Sequence, residues 1–260
     1  VLPLTGQINI SISNDAIICE GESIQLDANP SGGDGNYTYL WTPAEGLSCT
    51  DCLSPIATPA VTTTYTLTVE DGLGEQGIAS VTVTVAPPPI IEATVQNINC
   101  NGTNTGFILL NNSSGDFTYE WSNGDTGPVQ QGLPAGTYCV TVTNENGCAS
   151  EECFTMAEPP LLEAFAETIN TTCAGTADGT IMVTVTGGVA PYIYNWNNGV
   201  SAPTLVNVPA GTYSVTVIDA NGCGPVTDTI DVTESDILTA TISDQTFVIC
   251  TGSSTGYITV

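Results

Sequence analysis

The chain has 260 residues, 41% of them hydrophobic, and carries 27 aspartates and glutamates but no lysine, arginine or histidine, for a formal charge of −27. That balance excludes nucleic-acid binding, because affinity for phosphate comes from Lys and Arg, and an anionic membrane surface would repel it. No side chain can form a salt bridge, so each carboxylate must be solvated, hydrogen-bonded or bound to an external cation. No apolar run approaches the ~20 residues of a membrane span, so no membrane insertion is expected. Ten cysteines without any histidine read as disulfides in an oxidising compartment. Acidic, cystine-bearing and repetitive together point to an extracellular, cell-surface location. The sequence begins at Val1 without a signal-peptide pattern, as a processed chain or a fragment would.

Ile8, Ile10 and Ile12 alternate with polar residues and predict a first strand. Residues 19–28 read as a turn into a second strand and residues 37–41 as a third, followed by a long loop through Cys49 and Cys52. Residues 63–70 and 78–85 form a final hairpin, and Ala86-Pro87-Pro88-Pro89 ends the module, since prolines lack ladder donors. The plan then repeats. Residues 90–97, 106–110, 117–121, 136–143 and 149–156 are strands, closed by Glu158-Pro159-Pro160, and a third copy runs from Leu161 to Glu234. The clearest repeated stretch is Ala135 to Cys148, which returns as Ala210 to Cys223. Its alternation is that of a half-buried strand, and its Asn-Gly turn reverses the chain into a hairpin. A fourth copy starts at Ile237, with residues 246–252 matching the regions around Cys100 and Cys173.

No long window has a helical period. The predicted fold is all-β: tandem immunoglobulin-like β-sandwich modules at 1–88, 89–160 and 161–236, with 237–260 the start of a further, incomplete repeat. Six strands are counted in modules two and three, an even number that puts both termini of a module at one pole. Trp41, Trp121 and Trp196 mark the same strand in each module and read as core anchors, with an aromatic platform as the rival reading.

Cys100 follows the first strand of module two and Cys148 sits at the tip of its last hairpin; Cys173 and Cys223 repeat both positions. The expected pairs are therefore Cys100–Cys148 and Cys173–Cys223, each closing a loop of about fifty residues worth roughly 3–4 kcal/mol in the chain-entropy model. If Asn144 and Cys148 flank a three-residue loop, Cys139 lies opposite Cys153, giving a cross-strand disulfide. Module three has Ser214 and Asp228 at the corresponding places, so both cysteines vanish together. Aligning Thr68 with Thr141 puts Glu75 where Cys148 would be, which leaves Cys19 without a partner, as is Cys250. Cys49-Thr50-Asp51-Cys52 reads as a local structural disulfide; as a zinc half-site it offers three ligands with Cys19 and no histidine.

Catalysis has little to work with. No His, Lys or Arg can transfer a proton or hold an oxyanion, and the carboxylate pairs Glu151-Glu152 and Glu20/Glu22 read as solvated surface groups. No catalytic, cofactor or metal residue is assigned. Calcium is the chemical alternative, because Asp178-Gly179, Asp219 to Gly222, and Asp71-Gly72 with Glu75 put oxygen donors in turns. Asp and Asn also favour turns by bonding their own backbone. Asn-x-Ser/Thr sequons occur at Asn9, Asn36, Asn101, Asn111, Asn112 and Asn170.

Gly187-Gly188-Val189-Ala190-Pro191-Tyr192, Pro209-Ala210-Gly211-Thr212-Tyr213 and Asn221-Gly222-Cys223 make modules two and three resemble SprB-type repeats, found in very long surface adhesins of gliding bacteria. Module two departs from Gly-Gly-x-x-Pro-Tyr, with Ser113-Ser114-Gly115-Asp116-Phe117-Thr118. Module one resembles PKD-like or immunoglobulin-like domains of the same proteins, through Cys19-Glu20-Gly21-Glu22-Ser23, Trp41-Thr42-Pro43 and Thr62-Thr63-Thr64-Tyr65. The resemblance implies export by the type IX secretion system and display in a surface filament or adhesin. It also makes Asp228-Thr229-Ile230 similar to the O-glycosylation motif of that bacterial group, at Thr229. The expected function is non-enzymatic: a structural segment that spaces and displays a binding region. Its partners would be other modules of the same long chain or other copies in a filament, with glycans or surfaces beyond them. The alternative is a calcium-dependent carbohydrate- or partner-binding array.

Overall fold

The computed structural model describes residues 6–112, 116–236, 239–245 and 258–259. Among these there is no helix, and so none long and apolar enough to cross a membrane. The chain divides into two compact units, one of residues 1–97 and 106–156, the other of residues 98–105 and 157–260. The segment 98–105 thus belongs to the second unit, although it connects two strands of the first.

The first unit opens with β1 (Asn9–Ile12), β2 (Ala16–Cys19), β3 (Ile24–Gln25), β4 (Ala28–Ser31), β5 (Tyr37–Thr42), β6 (Ile56–Ala57), β7 (Thr63–Asp71) and β8 (Gln76–Ala86). Its main sheet has the order β2-β8-β7-β5, with β1-β4 and β3-β6 as smaller pairs. Every pairing is antiparallel except β2 with β8, which runs parallel and sets Cys19 opposite Ala86. The alternation of β7 does the sorting. Tyr65, Leu67 and Val69 are fully buried against Val81, Val83 and Trp41, each Val or Leu worth roughly 1.5–3 kcal/mol on leaving water. The intervening Thr64 and Thr66 face outward and share hydroxyl hydrogen bonds with Thr82 and Ser80, both 3.0 Å.

The same unit continues with β9 (Ala93–Gln96), β10 (Gly106–Leu110), β11 (Thr118–Trp121), β12 (Val129–Leu133), β13 (Gly136–Thr143) and β14 (Ala149–Met156), in sheets β12-β10-β9 and β11-β13-β14. β12 is the strand that hydrophobic alternation leaves unlocated: Val129-Gln130-Gln131-Gly132-Leu133 buries Gln130 and Leu133 but exposes Val129. The second unit repeats the plan with β15 (Glu163–Ile169), β16 (Gly179–Thr186), β17 (Ile193–Trp196), β18 (Thr204–Val208), β19 (Gly211–Ile218) and β20 (Val226–Val232), ordered β15-β16-β18 and β17-β19-β20. Beyond it, β21 (Asp244–Gln245) pairs with β22 (Ile258–Thr259). Cys250 and residues 246–252, read as the match to earlier repeats, lie outside the described residues.

Each sandwich is pinned by a buried tryptophan, and the second and third also by a tyrosine. Trp41, Trp121 and Trp196 are 0%, 2% and 4% exposed, which makes them core anchors. Their indole N–H groups donate to the carbonyls of Cys52, Gly127 and Ala202 at 3.0, 2.9 and 2.9 Å, so no buried donor is left unpaired. Tyr138 and Tyr213, near the start of β13 and β19, donate to Pro134 and Pro209 four residues upstream at 3.1 and 3.0 Å. That is the tyrosine corner of immunoglobulin-type sandwiches.

Six strands do not place both termini of a module at one pole. β9 and β15 are antiparallel to β10 and β16, and the third and fourth strands lie in different sheets, joined by a crossover instead of a hairpin. The crossover restores the parity of a seven-stranded sandwich, and the first strand ends level with the last. In module one this is explicit in the parallel pairing of β2 with β8. In the second unit Thr171, just past β15, donates its N–H to the carbonyl of Thr233, just past β20, at 3.1 Å.

Candidate functional site

The final hairpin of each module ends in a tip built on one Asp or Asn. The side-chain oxygen of Asp71 accepts the N–H groups of Leu73 and Glu75 at 2.9 and 3.0 Å. Asn144 accepts those of Asn146 and Cys148, both at 3.0 Å, and Asp219 those of Asn221 and Cys223 at 2.9 and 2.8 Å. Gly74, Gly147 and Gly222 occupy the left-handed region at φ 83°, 83° and 80°, which the turn requires. The second carboxylate oxygen of Asp71 takes the N–H of Asp34 at 3.1 Å, and that of Asp219 takes the N–H of Val189 at 2.9 Å. Burial works to raise the pKa of Asp71, but the N–H groups of Glu75, Leu73 and Asp34 outweigh it and hold the carboxyl below its ordinary range. The outcome is a rigid tip that presents its fifth residue in a fixed place: Glu75, Cys148 or Cys223.

A second recurring element is the turn after β2, β9 and β15, Cys19-Glu20-Gly21-Glu22, Cys100-Asn101-Gly102-Thr103 and Cys173-Ala174-Gly175-Thr176. In each, the fourth residue donates its N–H to the cysteine carbonyl, at 2.9, 3.2 and 3.2 Å, and the glycine has φ 83°, 72° or 76°. Each turn is tied to the segment by which the chain leaves its module. Glu20 N–H reaches Ala86 O at 3.1 Å; Gly102 N–H reaches Glu158 Oε2 at 2.7 Å; Gly175 N–H reaches Glu234 Oε2 at 2.8 Å.

The two elements meet across module junctions. Cys19 is bonded to Cys148 (S–S 2.07 Å) and Cys100 to Cys223 (S–S 2.01 Å). Neither Cys100–Cys148 nor Cys173–Cys223 forms, and Cys173 is free and exposed. The reason is the pole reversal described above. Within a module the first cysteine sits at the end of the last strand and the tip cysteine before its start, an eight-residue span of about 25 Å along β14. Bonded cysteines need Cα atoms within ~7 Å; those of Cys19–Cys148 and Cys100–Cys223 are 5.4 and 5.5 Å apart. Hydrogen bonds accompany each staple: Asn144 Nδ2 to Pro87 O at 3.1 Å, and Asn221 Nδ2 to Asn99 O at 2.9 Å. Cys19, without a partner in the sequence reading, therefore holds the tip of the next module.

Two further disulfides are local, Cys49–Cys52 and Cys139–Cys153. The Cys139–Cys153 register is the one that a three-residue loop between Asn144 and Cys148 dictates. Module three differs: Ser214 faces Thr229, not Asp228, because Gly224-Pro225 adds a residue after the tip and shifts β20 by one. Thr229 is exposed there, on β20.

The residues weighed as calcium donors are engaged otherwise. Asp71 and Asp219 accept backbone N–H groups as above. Asp178 accepts the hydroxyls of Thr172 and Thr176 and the N–H of Thr172, which together hold its carboxyl below the ordinary range. The one cluster with ligand spacing among the described residues is Cys139, Glu151 and Cys153, whose two sulfurs are already bonded to each other. Glu20, Glu22, Glu151 and Glu152 are exposed.

All-β sandwiches chained by short linkers define a tandem immunoglobulin-like protein. Among solved structures, the N-terminal eight Ig domains of the Down syndrome cell adhesion molecule align over 87% of this chain and 36% of theirs, at 14% identity and TM-score 0.50. This chain thus spans about a third of that structure. Sidekick-1 immunoglobulin domains 1–5 align at 12% identity and TM-score 0.33, over 88% of this chain and 58% of theirs. The two Ig domains of DIP-gamma align at 13% identity and TM-score 0.32, over 60% and 99%. No curated protein sequence matches. The family model described as the SprB repeat matches residues 23–46, 92–126 and 166–201. Three stretches of the chain thus match the SprB repeat, and each lies in an immunoglobulin-like module. The first match lies in the module whose sequence reads as PKD-like, and the other two contain the turns at Cys100 and Cys173.

Proposed function

We propose that the chain is a structural, non-catalytic segment of a secreted cell-surface adhesin or filament, exported by the type IX system, whose modules space and display a binding region. The observation that supports this best is the staple across each junction: Cys19–Cys148 and Cys100–Cys223 tie successive modules where a load along the chain would part them. Disulfides of this kind are characteristic of oxidising compartments. The match to SprB repeats and the immunoglobulin-like fold agree with it. The partners in this reading are neighbouring modules or other copies in a filament, and a surface or glycan at the displayed end. In this reading the turn carboxylates serve the fold, accepting backbone N–H and hydroxyl donors.

The reading is tested on the source cells. Antibodies raised against the purified chain should label intact, unpermeabilised cells, and a protease added outside should remove the label. Label that appears only after permeabilisation would overturn it.

A further inference from the structure

We propose that the loop around Cys173 is a seat for the hairpin tip of an SprB-type repeat that follows in tandem, with Cys173 forming the disulfide to that tip's cysteine. The inference does not need the adhesin reading, only an oxidising compartment.

The comparison is with the occupied seat at Cys100 in the same molecule. There, Thr103 donates its N–H and its hydroxyl to the Cys100 carbonyl, at 3.2 and 2.8 Å; Thr176 does the same to Cys173, at 3.2 and 2.8 Å. Gly102 donates to Glu158 and Gly175 to Glu234, at 2.7 and 2.8 Å. The N–H of Asn99 is capped by the Thr105 hydroxyl at 3.0 Å; that of Thr172 is capped by Asp178 at 3.1 Å. Ile98 N–H binds Ala157 O and Thr171 N–H binds Thr233 O, both at 3.1 Å. The open seat thus shares with the filled one its turn, its tie to the exit segment and a capped N–H before the cysteine; it differs in Ala174, which lacks the Asn101 amide that donates to Pro159 O at 3.0 Å, and in a cap that is a carboxylate instead of a hydroxyl. Among the described residues Thr172 O, the counterpart of the carbonyl that receives Asn221, receives the Ser235 hydroxyl at 3.4 Å.

The occupant follows from the two filled seats. Each holds an Asx-x-x-Gly-Cys tip supplied by the next module, and never one from its own. A second copy of this chain offers no such thiol. Its tips are Glu75, which has no sulfur, and Cys148 and Cys223, which are bonded. The sequence Cys250-Thr251-Gly252 repeats the Cys-x-Gly spacing of the three turns. Closure is a two-electron oxidation. Cys173 and the tip cysteine each give up a thiol proton and form one S–S bond, and the two electrons and two protons reduce a small-molecule disulfide to two thiols.

The test uses the full chain with residues 161–236 duplicated in tandem after Asp236, the inserted copy carrying Ile169→Val and Val226→Ile so that its Cys173 and Cys223 peptides differ in mass from the originals, refolded in glutathione with its disulfide. Fragments from an Asp/Glu-directed protease should show the original Cys173 joined to the inserted copy's Cys223, and that Cys173 should lose its reactivity toward an alkylating reagent. With the inserted Cys223→Ser, the original Cys173 should stay reactive. A reactive Cys173 beside a free inserted tip, or an inserted tip bonded inside its own copy, would overturn the proposal. A second measurement keeps the unmodified chain: disulfide exchange of Cys173 with a peptide of residues 217–226 against a scrambled peptide of the same composition. The seat predicts faster capture of the native order; equal rates count against it.

Discussion

The sulfur of Cys19 is bonded to that of Cys148, 129 residues further along, and Cys100, which lies inside that interval, is bonded to Cys223 beyond it. The two loops interleave. A pull on the chain ends therefore follows the route from 1 to 19, across to 148, back to 100, across to 223 and on to 260. Single-molecule stretching of the unfolded, oxidised chain should stop near 350 Å, about 100 residues at ~3.5 Å each, against roughly 900 Å after reduction. Equal lengths before and after reduction would show that the staples are absent.

Trp196→Ala should cost about 3–5 kcal/mol, the usual loss for a buried tryptophan, because it empties the core against Val215 and Val217 and strips the Ala202 carbonyl of its donor. Chemical denaturation followed by far-ultraviolet dichroism measures it. A loss under about 1 kcal/mol would mean that the indole is not the anchor of that sandwich.

Gly188→Ala should destabilise more than Gly199→Ala. Both glycines have positive φ, 59° and 85°, which costs a side chain about 1–2 kcal/mol. A Cβ at Gly199 meets open space, whereas one at Gly188 lands 2.8 Å from Leu162 Cδ1 and 3.0 Å from Asp219 Oδ2. The second clash loosens the clasp between Asp219 and Val189 as well. Equal denaturation midpoints for the two variants would contradict this.

The carboxyls of Asp71 and Asp178 lie below their ordinary range in the folded state. Between those folded values and the unfolded value near 3.9, the unfolded chain binds more protons, so stability rises with pH there. Their contribution is complete above that window and is lost as pH falls through it. Acid titration of the midpoint should show a decline beginning near pH 4. Asp178→Asn should flatten its share of that limb, and an unchanged limb would remove Asp178 from the account.

Much of the fold was legible because its signals are local. Alternation over residues 136–143 and 211–217, the tryptophans and the Asn-Gly tips each report on strands next to them. The disulfide partners were not legible, because pairing within a module and pairing with the next one repeat equally well between modules two and three. Each scheme also leaves two of the ten cysteines over, Cys19 and Cys250 in the first and Cys173 and Cys250 in the second, so counting does not decide. What decides is pole, and pole depends on the crossover between β11 and β12, where Val129-Gln130-Gln131-Gly132-Leu133 gives alternation little to hold. The one-residue shift of β20 was hidden similarly, since Gly224-Pro225 looks like ordinary turn sequence.

The interleaved bonds also change what damage means for this chain. Hydrolysis of any one peptide bond between Cys19 and Cys223 leaves a single covalent molecule, because every such bond lies within at least one of the two disulfide-closed loops. Repeated along a longer array, the same stitch makes a molecule with two strands of covalent continuity woven from one polypeptide. A second break releases a piece only if it falls in the same interval between successive cysteines of these two bonds as the first, and even then the two ends of the chain stay joined.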